Sequence, residues 1–359
     1  MTKWIKMLSI VLNNKYMFNK ISLSLLSLLM LVAIKLYLLN EAQKQIGKSI
    51  DPCVTEGRTS VTFIMGDDES QKNNFYKNAT YFYHMDITQK TDFVVHSCKT
   101  LMDVSEYLSN NSNGIKFGTI NMVCHGNTWQ GLSIPIAKHL PRANVSNLEN
   151  ALKNKWIKPL CSDGIDHNTI INIVSCGVGQ NNDFKSVINK FFTCPDNPYP
   201  PLINIETHFV NFSDKHEKRL SDFYFVLSKY EYDDPQIIVN KLQNKYQQIP
   251  IDWQTAYNND NKLSGDRPYK HQFRMLVEWK IGFEHQNEIP NLSKEPDIVT
   301  WLKTQNDAMT ELEQMKLKLE DFMWHSFVVT DQQNTLKIKG YANVEGVLVD
   351  VPPNEITEL

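Results

Sequence analysis

Two dipeptides in this chain carry the residue types of nucleophilic catalysis, His125-Gly126 at the end of the run GTINMVCHG and Cys176-Gly177 near the end of TIINIVSCGVG. A cysteine thiol is mostly protonated at neutral pH, and an imidazole beside it takes the proton as the sulfur attacks. Such general-base help is worth roughly a hundred- to ten-thousand-fold in rate. The glycines serve a second need. Acyl transfer requires backbone N–H groups aimed at a developing oxyanion, with no side chain crowding the substrate. The amides of Gly126 and Cys176 are the candidates for that role, and Gly177 is a candidate for substrate contact.

Chemistry between residues this far apart in sequence depends on the elements that carry them. Each dipeptide follows an Ile- and Val-rich run that reads as a short buried strand cut off by a glycine turn. Parallel neighbours of this kind would present His125 and Cys176 at one carboxyl edge, where open α/β sheets place their sites. Further strands are expected at 60–65, 92–96 and 202–209, with helices at 102–108, 145–157, 184–192, 218–227 and 235–246; the stretch 75–83 reads as a helix or an elaborated loop. This alternation predicts an α/β fold with a mostly parallel sheet covered by helices on both faces. Beyond 249 the expectation is an α+β extension with a strand at 273–283, one long helix over 297–323, and a terminal hairpin from 336–341 and 344–351.

Other chemistries find little support. The net charge of −3 and the dispersal of the 37 Lys and Arg residues argue against nucleic acid as a partner. None of the six cysteines forms a CxxC pair, no zinc-like spacing occurs, and no metal or organic cofactor is expected. Cys98 and Cys124 lie in apolar runs as small buried hydrophobes do. The stretch CGVGQNN lacks the third glycine of a dinucleotide loop, since Asn182 stands there.

The amino-terminal region adds a location. Residues 21–39 form an apolar segment long enough to span a bilayer, preceded over 1–20 by lysines without acids. The expectation is an uncleaved anchor, with a cleaved signal peptide as the rival, and a polar linker over 40–58. Either way the main domain is exported, membrane-anchored on the extracytoplasmic side or secreted. The membrane partner acts through 21–39.

The pairing of CHG with SCG resembles the caspase-like cysteine peptidases, the group of caspases, metacaspases, gingipains, clostripain, separase and CHAT domains. In that group the histidine of an HG motif follows one sheet strand and the cysteine follows the next, which His125-Gly126 and Cys176-Gly177 match. Ser213-Asp214, Phe223-Tyr224, Leu227 and Pro235 bring 207–240 closest to CHAT domains, where a strand leads to an FY-bearing helix and then a proline-opened helix. The resemblance spans 59–248 and implies a three-layer α/β/α sandwich with cysteine endopeptidase activity on a protein or peptide substrate. Val174, two positions before the cysteine, stands where metacaspases carry an acid for basic substrates. Asp163 and Asp166 are then the candidates for lining a basic-residue pocket. A catalytically inactive, membrane-tethered caspase-like adaptor is the alternative, since Cys124 beside His125 is consistent with a relaxed site, and a tethered binding protein unrelated to peptidases is a third.

Overall fold

The computed structural model describes residues 57–68, 74–86, 89–197, 199–229, 234–260, 267–329 and 334–352. The apolar segment 21–39 lies outside them, and among the described residues no helix is long and apolar enough to cross a membrane.

Five parallel strands form the sheet that organises the site. They are β1 (Thr59–Ile64), β2 (Phe93–Val95), β3 (Phe117–Val123), β6 (Ile170–Val174) and β7 (Leu202–Ile205), in the spatial order β2-β1-β3-β6-β7. Between β3 and β6 lies a small antiparallel pair, β4 (Gly126–Asn127) and β5 (Gly131–Leu132). Alternate side chains face opposite sides of the sheet. Val61, Phe63, Ile120, Met122, Ile171 and Ile173 all enter one large core. Its cover is helical: α2 (Leu101–Asn110), α3 (Val145–Lys153) and α4 (Asn182–Phe192). The spacing of α4 explains its role, because Phe184, Val187, Ile188 and Phe191 recur on one face and are fully buried. Asn181 caps its first turn, accepting from the amides of Asp183 and Phe184.

The other sheet face is less apolar. Ile64, Val123 and Val174 pack there against α1 (Phe75–Met85) and β8 (Phe209–Phe212). Closer to the strands' amino ends, the same face carries a ladder of polar side chains. The amide of Asn204 donates to Asn172 at 3.0 Å, Asn172 to Asn121 at 2.9 Å, and Asn121 to the Thr62 hydroxyl at 3.0 Å. These four residues occupy one rung across β1, β3, β6 and β7. A one-residue slip of any strand would break the chain of bonds, so the ladder fixes the register that aligns the strand ends.

The second sheet is antiparallel. Its strands are β8, β9 (Lys218–Ser228), β10 (Tyr269–Gly282), β11 (Met323–Val328) and β12 (Thr335–Asp350). β12 pairs with β10 along one edge, and with β11 and then β9 along the other. One side of this sheet is covered by α7 (Glu295–Leu302) and α8 (Asn306–Gln314), the other by α5 (Pro235–Lys245) and α6 (Trp253–Asn258). Because β9 pairs with β12 from Ser221↔Asp350 to Ser228↔Asn343, residues on either side of 249 share a sheet, and Gly57–Leu359 is one compact unit.

Four elements differ from the sequence expectation. The strand expected over 202–209 ends at Ile205, and Phe209 opens β8 in the second sheet. Residues 218–227 form β9 rather than a helix. Phe223, Tyr224, Phe225 and Val226 favour a pleated surface, and partners on both edges settle the choice. The FY pair therefore lies in a strand, unlike the CHAT pattern. The helix expected over 297–323 is interrupted after Leu302, gives way to β11 at Met323, and ends its second piece where Lys316 adopts a left-handed φ of 57°. There Leu317 donates to the Leu312 carbonyl and Lys316 to Glu313, a Schellman closure. The expected hairpin over 336–351 is a single strand.

Cys161 and Cys194 form a disulfide that ties the segment before β6 to the end of α4. The bridge closes a loop of 33 residues. Replacing both cysteines with serine is expected to cost roughly 2–4 kcal/mol in a urea titration. An unchanged midpoint would show that the enclosed segment is already restrained in the unfolded chain.

Candidate active site

Strand register brings the two dipeptides together. Val123 of β3 pairs with Val174 of β6, and His125 and Cys176 each stand two residues beyond that rung. Both side chains therefore leave on the face of Val123 and Val174, the face covered by α1. Cys124 and Ser175 point the opposite way, and Cys124 belongs to the large core. Cys124 is thus a buried packing residue and not a rival nucleophile. His125 and Cys176 both line a cleft of about 1270 Å³ between the two sheets.

The loops leaving the strands build the surroundings. Phe75 stacks on the His125 ring at 4.5 Å between centroids, and Tyr76 meets it edge-on at 4.9 Å. The backbone N–H of His125 donates to the Tyr76 hydroxyl at 3.1 Å. Burial pushes that hydroxyl's pKa up, so it stays neutral. The start of α1 is in turn held by Asp68, whose carboxylate accepts from the amides of Tyr76 and Lys77.

The turn after β6 rests on the segment joining β7 to β8. Gly177 donates its N–H to the His208 carbonyl, and Gly179 to that of Glu206, each at 2.8 Å. Glu206 accepts from Lys218 at 3.2 Å and contacts Nδ1 of His208 at 3.2 Å. Burial pushes Glu206 up, but Lys218 and the His208 amide and ring outweigh it and hold the carboxyl below its usual value. The Cys176 thiol donates to the Val210 carbonyl at 3.4 Å.

Gly126 is packed, whereas Gly177 is open. A Cβ on Gly126 would lie 2.3 Å from the Ser175 hydroxyl, 2.7 Å from Val178 and 2.8 Å from the Gly131 carbonyl. Gly177 has a φ of +63°, and its nearest neighbour to a Cβ is 3.9 Å away. The first glycine permits the hairpin to approach the cysteine turn, and the second permits the turn itself.

The Gly126 amide, one of the two expected oxyanion donors, is not used by the hairpin. The Ser133 N–H donates to the His125 carbonyl at 2.7 Å, so Gly126 and Leu132 form a non-hydrogen-bonded pair and the Gly126 amide points away from β5. The Cys176 amide lies beside its own sulfur.

Asp163 and Asp166 are not part of this cleft. Both precede β6 and sit at the opposite, amino end of the sheet. Asp166 is ion-paired with Arg58 and, at 3.7 Å, with Lys116, while Asp163 is exposed and its carbonyl accepts from Lys116. They hold the amino edge of β3 and β6 together, and the basic-residue pocket expected from them does not exist there.

Phe75, Tyr76 and the 206–208 turn follow β1 and β7, and a carboxyl-edge site draws on every such connection. Trp129 and Gln130, at the tip between β4 and β5, join the two sheets. Trp129 packs on Phe225 at 4.4 Å, and Gln130 donates to the Leu276 carbonyl at 2.7 Å.

Burial pushes the Cys176 thiol up to about 12, with the Glu206 carboxylate acting in the same direction. The resting sulfur is therefore a neutral thiol throughout the physiological range. Its alkylation by iodoacetamide is expected to be slow at pH 7 and to climb with pH without levelling below about pH 10. A plateau near pH 6–7 would show a preformed thiolate instead.

No protein-family model, curated protein or solved structure matches the chain.

Proposed function

We propose that the protein is a cysteine endopeptidase of caspase-like architecture in which Cys176 attacks the scissile carbonyl and His125 moves the proton. The observation that carries this reading is the in-register placement of His125 and Cys176 on one face, at the carboxyl ends of adjacent parallel strands, beside an open cleft. The thiol proton passes to His125 as carbon–sulfur bond formation begins, and His125 returns it to the departing amine. The amides of Gly126 and Cys176 hold the oxyanion. Water then attacks the acyl-enzyme with His125 again as base, releasing the acid and restoring the thiol. The resting thiol is raised, so substrate must shift the sulfur off the Val210 carbonyl and toward the imidazole. The Cys161–Cys194 disulfide supports an exported domain, because such bridges persist in oxidising compartments. Anchoring through 21–39 belongs to the same proposal.

A second reading has its own support: the same buried, hydrogen-bonded thiol suits a retained caspase-like shell that binds without cutting. A peptidyl acyloxymethyl ketone library, followed by mass mapping, separates the two. The peptidase reading expects adducts on Cys176, lost in His125→Ala. Absence of any adduct from the folded full-length chain favours the binding shell.

A further inference from the structure

Three successive carbonyls hold the turn that carries the cysteine. Gly179 donates its N–H to Glu206, the Gln180 side chain donates to Thr207, and Gly177 donates its N–H to His208, each at 2.8 Å. Successive carbonyls of an extended strand point to opposite sides, so three in a row on one target require a bent backbone. The Glu206 carboxylate makes the bend. It turns back on its own chain, and Oε1 accepts from the amides of Thr207 at 3.1 Å and His208 at 3.2 Å. A side chain that takes neighbouring amides competes with the strand ladder for them. β7 accordingly stops at Ile205, and β8, which opens at Phe209, belongs to the other sheet.

The carboxylate is held in its turn. The Glu206 side chain is only 11% exposed, its Oε2 accepts from Lys218 of β9 at 3.2 Å, and its Oε1 meets Nδ1 of His208 at 3.2 Å. The other ring nitrogen of His208 lies 3.8 Å from Asp222 of β9. A glycine or an asparagine could make a sharp turn without burying a charge. The charge also reaches beyond the turn, since it pushes up both the Cys176 thiol and the Tyr83 hydroxyl of α1. The contact has little slack, because a Cβ on Gly179 would run into the Ile205 and Glu206 carbonyls. Glu206 lies behind the turn and does not line the cleft, so it acts on the sulfur through the turn and through its field.

We infer that Glu206 is a positioning residue for Cys176: its carboxylate folds the 206–208 segment so that three carbonyls fix the cysteine turn, and it sets a negative charge behind the sulfur. A role in the reaction rests on the peptidase reading, whereas the coupling of Glu206 to the sulfur does not.

Two readouts on the full-length chain test this, at a temperature where melting curves show every variant folded. The first is the rate of iodoacetamide labelling of Cys176 at about pH 8.5, followed by peptide mass mapping. Glu206→Gln keeps an oxygen for the two amides and removes the charge. It is expected to label about threefold faster, the net of more thiolate and a weaker nucleophile. Lys218→Met strips the carboxylate of its counter-charge and is expected to label about threefold slower than the parent. Both variants break the same ion pair, so opposite signs cannot come from a loosened fold. The second readout is peptide hydrolysis. Glu206→Ala releases the turn and is expected to lower kcat about ten- to a hundredfold with KM within about twofold, and Glu206→Gln recovers most of that loss. Labelling that moves the same way in both ion-pair variants, or in neither, overturns the charge's part. A loss of kcat in Glu206→Ala no larger than its unfolded fraction overturns the positioning. Opposite labelling shifts in a chain that cuts no peptide would sink the peptidase alone, and cutting with unshifted labelling would sink the coupling alone.

Discussion

Replacing Cys176 with alanine is expected to take peptide hydrolysis to the detection floor, a fall of roughly five orders of magnitude. His125→Ala is expected to lose about a hundred- to ten-thousand-fold, the contribution of a positioned general base. The double variant should be no worse than Cys176→Ala, because two groups that act on one proton cannot be removed twice. Stability provides the control. His125 is half-buried under Phe75 and Tyr76, and Cys176 contributes one weak hydrogen bond, so either substitution should move the melting midpoint by only about 3 °C. Additive losses in the double variant would mean that the imidazole and the sulfur act on separate steps. Retained turnover in Cys176→Ala would remove the nucleophile from the scheme altogether.

The placement of His125 and Cys176 at the ends of neighbouring strands was legible in the sequence because both sit where local pattern is strongest. The runs before His125 and Cys176 are short, β-branched and stopped by glycine, and the parallel α/β sheet follows from their alternation with helices. Much of the cleft was not legible. Its second wall comes from β10 and β12, more than a hundred residues downstream of His125, and β12 pairs with β10 on one edge and β9 on the other, partners that no local window contains. Residues 218–227 show the conflict directly. Leu220, Phe223, Tyr224 and Leu227 satisfy a helical period, yet the aromatic run satisfies a strand equally well, and tertiary pairing decides. Asp163 and Asp166 failed for a related reason. Loop acids near a nucleophile in sequence can stand at the far end of the strand that carries it.

The glycine of the HG dipeptide gives the second large effect, one in which geometry and not chemistry is removed. Gly126→Ala would place a methyl group 2.3 Å from the Ser175 hydroxyl, 2.7 Å from a Val178 methyl and 2.8 Å from the Gly131 carbonyl. The serine cannot rotate clear of all three contacts, because one is backbone of the same hairpin and another is the fully buried Val178. The hairpin must therefore move away from the cysteine turn, and overpacking of this kind costs about 1–3 kcal/mol. Activity should suffer more than stability. The displaced amide is a candidate oxyanion donor, and losing one such donor costs roughly 3 kcal/mol, or about a hundredfold or more in kcat. Gly177→Ala tests the opposite case. Space is open there, and the cost is the left-handed φ of +63° alone, about 1–2 kcal/mol. Gly177→Asn, which tolerates that region better, should recover part of it. Calorimetry and peptide kinetics on the three variants read the difference. Gly126→Ala should separate from the Gly177 pair by a fall in kcat larger than its loss of stability explains. If all three variants lose activity only in proportion to the fraction unfolded, the Gly126 amide has no part in the reaction, and the oxyanion must be held from elsewhere.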